Sequence, residues 1–187
     1  RLMVGREVVL TVEKKPKEAG ETLLKIEDLW VKDNRKLDVV KGVSFEVKRG
    51  EIVGIAGVAG NGQSELVEAI TGLRRAERGR VLFRGEDITG YDPKRLRDLG
   101  MFHVPEDRLK RGLIVDFPAY FNTILGRHMI EPFVKSGFLN MKEIKRFSKQ
   151  LFEKFDIRPR NIELLAGSFS GGNQQKIIVA REMSFSP

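Results

Sequence analysis

The sequence predicts an α/β fold with a mainly β beginning, a glycine-rich turn between a buried strand and a helix, and an inserted helical stretch. Three observations carry this reading. Val43, Phe45 and Val47 alternate with polar residues, as on a half-buried strand. The run Ile52-Val-Gly-Ile-Ala56 is short and apolar, as in a strand covered on both faces, and leads straight into Gly57-Val-Ala-Gly60-Asn61-Gly62. Between about 120 and 155 the period changes, with Ile144, Phe147, Leu151 and Phe155 recurring at helical spacing among Lys and Glu.

Taken in order, residues 1–22 read as a linker. Arg1-Leu-Met-Val-Gly-Arg6 begins abruptly, and Glu13-Lys-Lys-Pro16-Lys-Glu-Ala-Gly20 is polar with Pro and Gly, so a further domain is expected upstream. Strands are expected at 23–31 and 43–47, then at 51–56 after the Arg49-Gly50 turn. A helix at 64–71 ends at Gly72. A short strand at 81–83 precedes Gly85, a brief helix covers 94–99, and a strand at 101–104 is closed by Pro105. The last helix, Gly171–Met183, is opened by Ser168 or Ser170. The main domain is expected over 23–187, with a helical subdomain over about 118–183.

At 187 residues the chain suits one domain with a small insertion, and it is long enough to bury a core. Its 41% hydrophobic and 32% charged residues are ordinary for a globular protein. It has no cysteine, which excludes a disulfide framework and a cysteine-ligated zinc site. No stretch has the length and apolarity of a membrane span, and no signal-peptide pattern opens the chain. The net charge of +8 suits nucleic acid, an anionic surface or a polyphosphate. Its distribution favours a solvated basic surface over RNA binding. Arg74-Arg75, Lys94-Arg95 with Arg97, and Lys110-Arg111 are short groups with acids between them, and no aromatics interleave.

Gly57 to Ser64 has the P-loop spacing G-x4-G-K-[ST], with Gln63 at the lysine position. A strand, a glycine-dense loop and a helix turn successive backbone N–H groups toward one anion. Glycines at 57, 60 and 62 permit positive φ and a close approach of phosphate to the backbone. Ser64, in the first helical turn, is the candidate Mg²⁺ ligand between the β- and γ-phosphates. The Gln63 amide donates hydrogen bonds without the charge that makes those of lysine about twice as strong. Glu65 adds a carboxylate that the same phosphates repel. The loop (Gly57, Gly60, Asn61, Gly62, Gln63, Ser64 and Glu65) is therefore expected to hold nucleotide through its backbone and to support γ-phosphate transfer poorly. The competing reading is a glycine-rich turn with no ligand.

Ser170-Gly171-Gly172 at a helix start offers a second anion site of the same physical kind, N–H groups at the positive end of a helix dipole. Ser-Gly-Gly also makes a plain helix cap, and its position after a P-loop and a helical insert sharpens the reading. On these residues the chain resembles the ABC-type ATPases, whose signature is LSGGQ, from Leu23 to Pro187. Residues 57–66, Val104-Pro-Glu-Asp-Arg108 and Ser170-Gly-Gly-Asn-Gln-Gln-Lys176 resemble the C-terminal half of double-module ATPases. Those serve bacterial importers of simple sugars, such as ribose, and of nucleosides. Met3-Val-Gly-Arg6 is similar to the tail of the preceding module.

The resemblance implies a P-loop NTPase of the ABC type, with ATP and Mg²⁺ as ligands, truncated before the Walker B strand. It implies a head-to-tail sandwich in which each ATP lies between the P-loop of one module and the signature of the other. Ser170, Gly171, Gly172, Asn173 and Gln174 would then cover ATP held by an upstream module, while the Gln63 loop forms a degenerate site. Glu106 stands at the Q-loop glutamine position, which makes Ser64 and Glu106 the implied metal ligands and leaves no other catalytic residue in the chain. The bland alternative for Glu106 is a solvated turn residue after Pro105. Residues 109–126 would meet a permease coupling helix through Phe117, Tyr120 and Phe121, although aromatic clusters are as often core. Trp30 is the nearest aromatic for adenine, but Asp33 occupies the aligned place. His103 and His128 read as structural or surface residues.

The implied partners are a second ABC module in the same polypeptide, transmembrane permease subunits and, indirectly, an external solute-binding protein, with no nucleic acid. The implied place is the cytoplasmic face of the cell membrane. After Met183 the family carries an Asp-ended strand, a Glu, the D-loop and the switch histidine, so the 187-residue chain is expected to be destabilised and to lack appreciable ATPase activity by itself. Two other readings stay open. One is a regulatory module that binds nucleotide only to close the dimer. The other is a soluble ABC-type factor acting on ribosomes or DNA, supported by the basic charge alone.

Overall fold

The computed structural model describes residues 18–185, so most of the expected linker lies outside the described residues. Two compact units are present, one of residues up to 70 with 74–90, the other of 71–73 with 91 onward.

The first unit is a four-stranded antiparallel sheet with one helix. Strands β1 (Thr22–Lys32), β2 (Asp38–Lys48), β3 (Arg78–Phe83) and β4 (Glu86–Asp87) lie in the order β2-β1-β3-β4, accompanied by α1 (Gln63–Ile70). The turn between β1 and β2 is closed by Asp33, whose carboxylate accepts from the N–H groups of Arg35 (2.8 Å) and Leu37 (3.0 Å) and from Arg35 Nε (2.8 Å). These bonds hold the Asp33 carboxyl below the usual carboxylate range, the Leu37 N–H first among the causes.

In β1 the buried residues are Ile26, Leu29 and Val31, a break in strict alternation. A register shift between Ile26 and Leu29 accounts for it, with Asp28 at φ 44°. One extra residue at the bulge returns Leu29 and Val31 to the face of Ile26, because a slip of one otherwise reverses every side chain. Gly79, at φ 91°, is needed beside this bulge, since a Cβ there would collide with the Asp28 carbonyl.

The segment 51–56, expected as a buried strand, forms none. Ile52 is 92% exposed and Ile55 49%. A strand of this composition needs ladder partners and covered faces, and none of the described residues pairs with it. The strand expected at 101–104 is likewise not formed. The sheet is therefore antiparallel throughout, and the remaining expected strands are in place.

The second unit is mainly helical: α2 (Pro93–Asp98), α3 (Ala119–Asn122), α4 (Met141–Lys154) and α5 (Gly171–Met183). Between α3 and α4 lies a small hairpin, β5 (Val134–Lys135) and β6 (Phe138–Leu139), inside the stretch of about 120–155 expected to be helical in character. On α4, Ile144, Ser148, Leu151 and Phe152 are buried, while Phe147 and Phe155 pack at the margin. Ile144, Leu151 and Phe152 join Phe169, Ile177 and Ile178 in one core, each such side chain contributing about 1.5–3 kcal/mol by leaving water. Ser148 is satisfied inside it through the Thr123 hydroxyl (2.7 Å) and the Ile144 carbonyl (2.8 Å). Tyr120 belongs to this core at 8% exposure, whereas Phe117 is 47% exposed. Phe121 packs half-buried against the same core, so of the three aromatics Phe117 is the exposed one.

Candidate functional site

The glycine-rich loop enters α1 through a turn in which the Asn61 N–H donates to the Val58 carbonyl (3.2 Å) and the Leu66 N–H to the Gly62 carbonyl (2.8 Å). Gly60 (φ 88°) and Gly62 (φ 93°) occupy the left-handed region that an anion-cradling loop requires. A Cβ on Gly62 would lie 2.6 Å from the Val39 carbonyl oxygen, so its smallness is demanded by β2 as well as by φ. Nothing lies within 4 Å of a Cβ placed on Gly60, which leaves the loop open on that side. Gln63 folds back over the first glycine, since a Cβ on Gly57 would collide with Gln63 Nε2. The amide therefore sits against the loop itself. Glu65 is half-buried on the same turn.

Behind the loop, α1 is tied down by Arg74. Its Nε donates to the buried Glu68 (2.7 Å), Nη1 to the Lys32 carbonyl (3.0 Å) and Nη2 to Asn34 (3.0 Å). The Trp30 ring carries the Arg78 guanidinium 4.3 Å from its centroid, so one of its faces is already stacked.

In the second unit, Ser170 caps α5 and is exposed, as is Gly172; Gly171 and Asn173 are half-buried. Ser170 Oγ does not bond the helix backbone. It accepts instead from Asn173 Nδ2 (2.9 Å), while Asn173 Oδ1 accepts from the Arg158 N–H (2.8 Å). The first amides of α5 are thus left without a side-chain cap and face outward at the positive end of a 13-residue helix. Gln174 differs from its neighbours: at 6% exposure, its Oε1 accepts from Arg108 Nε (3.1 Å) and its Nε2 donates to the Ala166 carbonyl (3.2 Å).

Asp156 organises the loop under the signature. Arg158 lies 2.9 Å away, Lys176 3.8 Å and Arg160 3.9 Å. The Arg158 hydrogen bond leads these in holding the Asp156 carboxyl below its usual range.

Glu106 is exposed and opens a loop that Asp107 caps, accepting from the N–H groups of Leu109 (3.0 Å) and Lys110 (3.1 Å). A π-helical turn, Arg108–Gly112, follows. Asp107 titrates low for that reason, the Lys110 N–H leading. His103 helps line a cavity of about 480 Å³ with Arg97, Arg181 and Glu182, and His128 is exposed.

The oxygens of Ser64 and Glu106 are hard donors of the kind Mg²⁺ takes. Among the described residues no group of three or more His, Cys, Asp or Glu gathers to hold an ion. The group that the structure adds is Arg108, through its bond to Gln174. The sole hint for Arg108 in the sequence is its place at the end of Val-Pro-Glu-Asp-Arg.

The ABC transporter family profile matches residues 40–187. The chain is 42% identical over 186 residues to the guanosine import ATP-binding protein NupO of Bacillus subtilis (strain 168), covering 100% of this chain and 36% of NupO. It is equally 42% identical over 186 residues to the nucleoside import ATP-binding protein NupA of Lactococcus lactis subsp. cremoris (strain MG1363), covering 100% and 37%. The ribose import ATP-binding protein RbsA of Chromobacterium violaceum (strain ATCC 12472) is 34% identical over 187 residues, covering 100% and 36%. The chain thus spans little more than a third of the length of these relatives. Among solved structures, an ATP-binding cassette of an ABC transporter aligns with a TM-score of 0.67 at 27% identity, covering 89% of this chain and 66% of the other. The architecture is the ABC-type P-loop NTPase fold, and the chain belongs to the ABC transporter family.

Proposed function

We propose that this chain is the second nucleotide-binding module of an importer ATPase, coupling ATP binding and hydrolysis to uptake of a nucleoside or simple sugar through a membrane permease. The observation that carries the reading is the outward first turn of α5 at Ser170-Gly171-Gly172, without a side-chain cap, on a chain 42% identical to two nucleoside import ATP-binding proteins. Ser170, Gly171, Gly172 and Asn173 complete an ATP site on an upstream module of the same polypeptide. Gly57, Gly60, Asn61, Gly62, Gln63, Ser64 and Glu65 form this module's own, weaker nucleotide site. Ser64 on the first unit and Glu106 on the second are each candidate Mg²⁺ ligands, and the ion when bound would neutralise phosphate charge. The basic surface follows from solvated Lys and Arg, and the module is peripheral on the cytoplasmic face. No helix among the described residues is long and apolar enough to cross a membrane, consistent with attachment through the permease.

A second reading, a regulatory module that closes the dimer without turnover, is favoured by Gln63 folded onto Gly57 and by Glu65 beside it. The two share the signature role and differ only in the fate of nucleotide at the Gln63 loop.

The test is Gly172→Asp in the full-length protein with its permease. Nothing lies within 4 Å of a Cβ at Gly172, and a carboxylate suits a helix N-terminus, so the fold tolerates it. A phosphate about 4 Å away would be repelled by about 4 kcal/mol at an effective dielectric near 20. The expected result is an unchanged melting temperature with ATP-driven uptake of labelled guanosine or ribose abolished. Undiminished ATP turnover and uptake would refute the signature assignment.

A further inference from the structure

We infer that Arg108 is a positioning residue that clamps the first turn of α5 to the segment following Glu106, so that the presentation of Ser170–Gly172 depends on that segment. The inference rests on the function proposed above and assigns a task to residues that touch no nucleotide in it.

The contacts run along one stripe of α5. On its first turn, Gln174 Oε1 accepts from Arg108 Nε (3.1 Å). One turn on, Ile178 packs so closely on Gly112 that a Cβ there would press on its Cδ1. One turn further, Arg181 Nη1 donates to the Gly112 carbonyl (2.9 Å). Positions 174, 178 and 181 are spaced by four and three, so they share one helix face. Both ends of the π-helical turn are therefore pinned to α5, and π turns of this kind recur where a helix has been adapted to a task.

The other amide group of Gln174 doubles the attachment. Its Nε2 donates to the Ala166 carbonyl (3.2 Å), the Ala166 N–H donates to the Phe117 carbonyl (2.9 Å), and the Gly167 N–H to the Val115 carbonyl (2.9 Å). Gln174 is thus held from both sides by the stretch between Glu106 and the exposed Phe117. Turning the buried amide would leave a donor or an acceptor unsatisfied, which resists any drift between the two.

Arg108 also borders the exposed turn. A Cβ on Gly171 would lie 2.9 Å from Arg108 Nη2. The guanidinium and Gly171 therefore occupy adjoining space, so a side chain at 171 would displace the Arg108 head.

The experiment is a mutant cycle in the full-length protein with its permease. Arg108→Ala and Gln174→Ala should each lower kcat for ATP about tenfold while KM stays within about twofold. The double variant should be no worse than the poorer single, since both remove the shared Arg108–Gln174 bond. Gly171→Ala should impair turnover when Arg108 is present and much less so in the Arg108→Ala background. Arg108→Lys, which keeps charge but not the planar Nε donor, should restore less than half the loss. Multiplicative effects of the Arg108 and Gln174 variants, or an unchanged kcat in Arg108→Ala, would overturn the clamp. Hydrogen exchange at the Gln174 amide, bonded at 2.9 Å to the Ser170 carbonyl, decides it without any transport. Arg108→Ala should speed that exchange about tenfold, and an unchanged rate refutes the clamp. Failure of uptake in the wild-type complex would instead refute the proposed function.

Discussion

Replacing Gln63 by lysine should tighten nucleotide binding to this chain by about one order of magnitude. In the structure the Gln63 amide lies against Gly57, inside the glycine-rich loop. A neutral hydrogen bond contributes about 0.5–1.5 kcal/mol net, and one to a charged group about 1.5–3 kcal/mol. The midpoints of these ranges differ by about 1.25 kcal/mol, a little under tenfold in affinity. Lysine is also long enough to pass Gly57, where the shorter glutamine folds back. Glu65, half-buried on the same turn, opposes part of this gain. The assay is titration of Gln63→Lys and the parent chain with a fluorescent ATP analogue in excess Mg²⁺ at two salt concentrations. The affinity gap should narrow as salt rises, because the added interaction is ionic. Equal dissociation constants in a variant with unchanged circular dichroism would refute the claim that the missing lysine is what weakens the loop.

Two further outcomes concern the second unit. Arg181→Met should cost about 3–5 kcal/mol in urea unfolding, because it strands Glu182; the pair is bonded at 2.6 Å with both residues 6% exposed. Glu182→Gln should cost less, since Arg181 keeps the Gly112 and Asn122 carbonyls, and equal losses would count against this account. Asp107 and Asp156 are both held below their ordinary value of 3.8 in the folded state. Their contribution to stability is full above that value and is lost as pH falls through the depressed folded one. The melting temperature should fall less steeply below pH 4 in Asp156→Asn than in the parent, and identical acid limbs would exclude the Asp156 cluster as a cause.

Local chemistry made much of this protein legible before any coordinates. The glycine spacing from Gly57 to Ser64 signals a sharp turn into a helix, and Gly60 and Gly62 do take the positive φ that glycine itself permits. The signature reads in the same way, and the helical spacing of Ile144 and Leu151 marks the core face of α4 because the period is built into the helix. Those features need no knowledge of what lies opposite.

Pairing is different, because it depends on a second segment. The run Ile52-Val-Gly-Ile-Ala56 has the composition of a buried strand, yet stands exposed with no ladder among the described residues. The bulge at Asp28 is invisible until β1 meets β2, and only then does the placement of Leu29 and Val31 make sense. Gln174 looks like one more signature residue in the sequence. Tertiary packing turns its amide inward to Arg108 and Ala166, residues 66 and 8 positions away, because a buried amide must find partners wherever the fold supplies them.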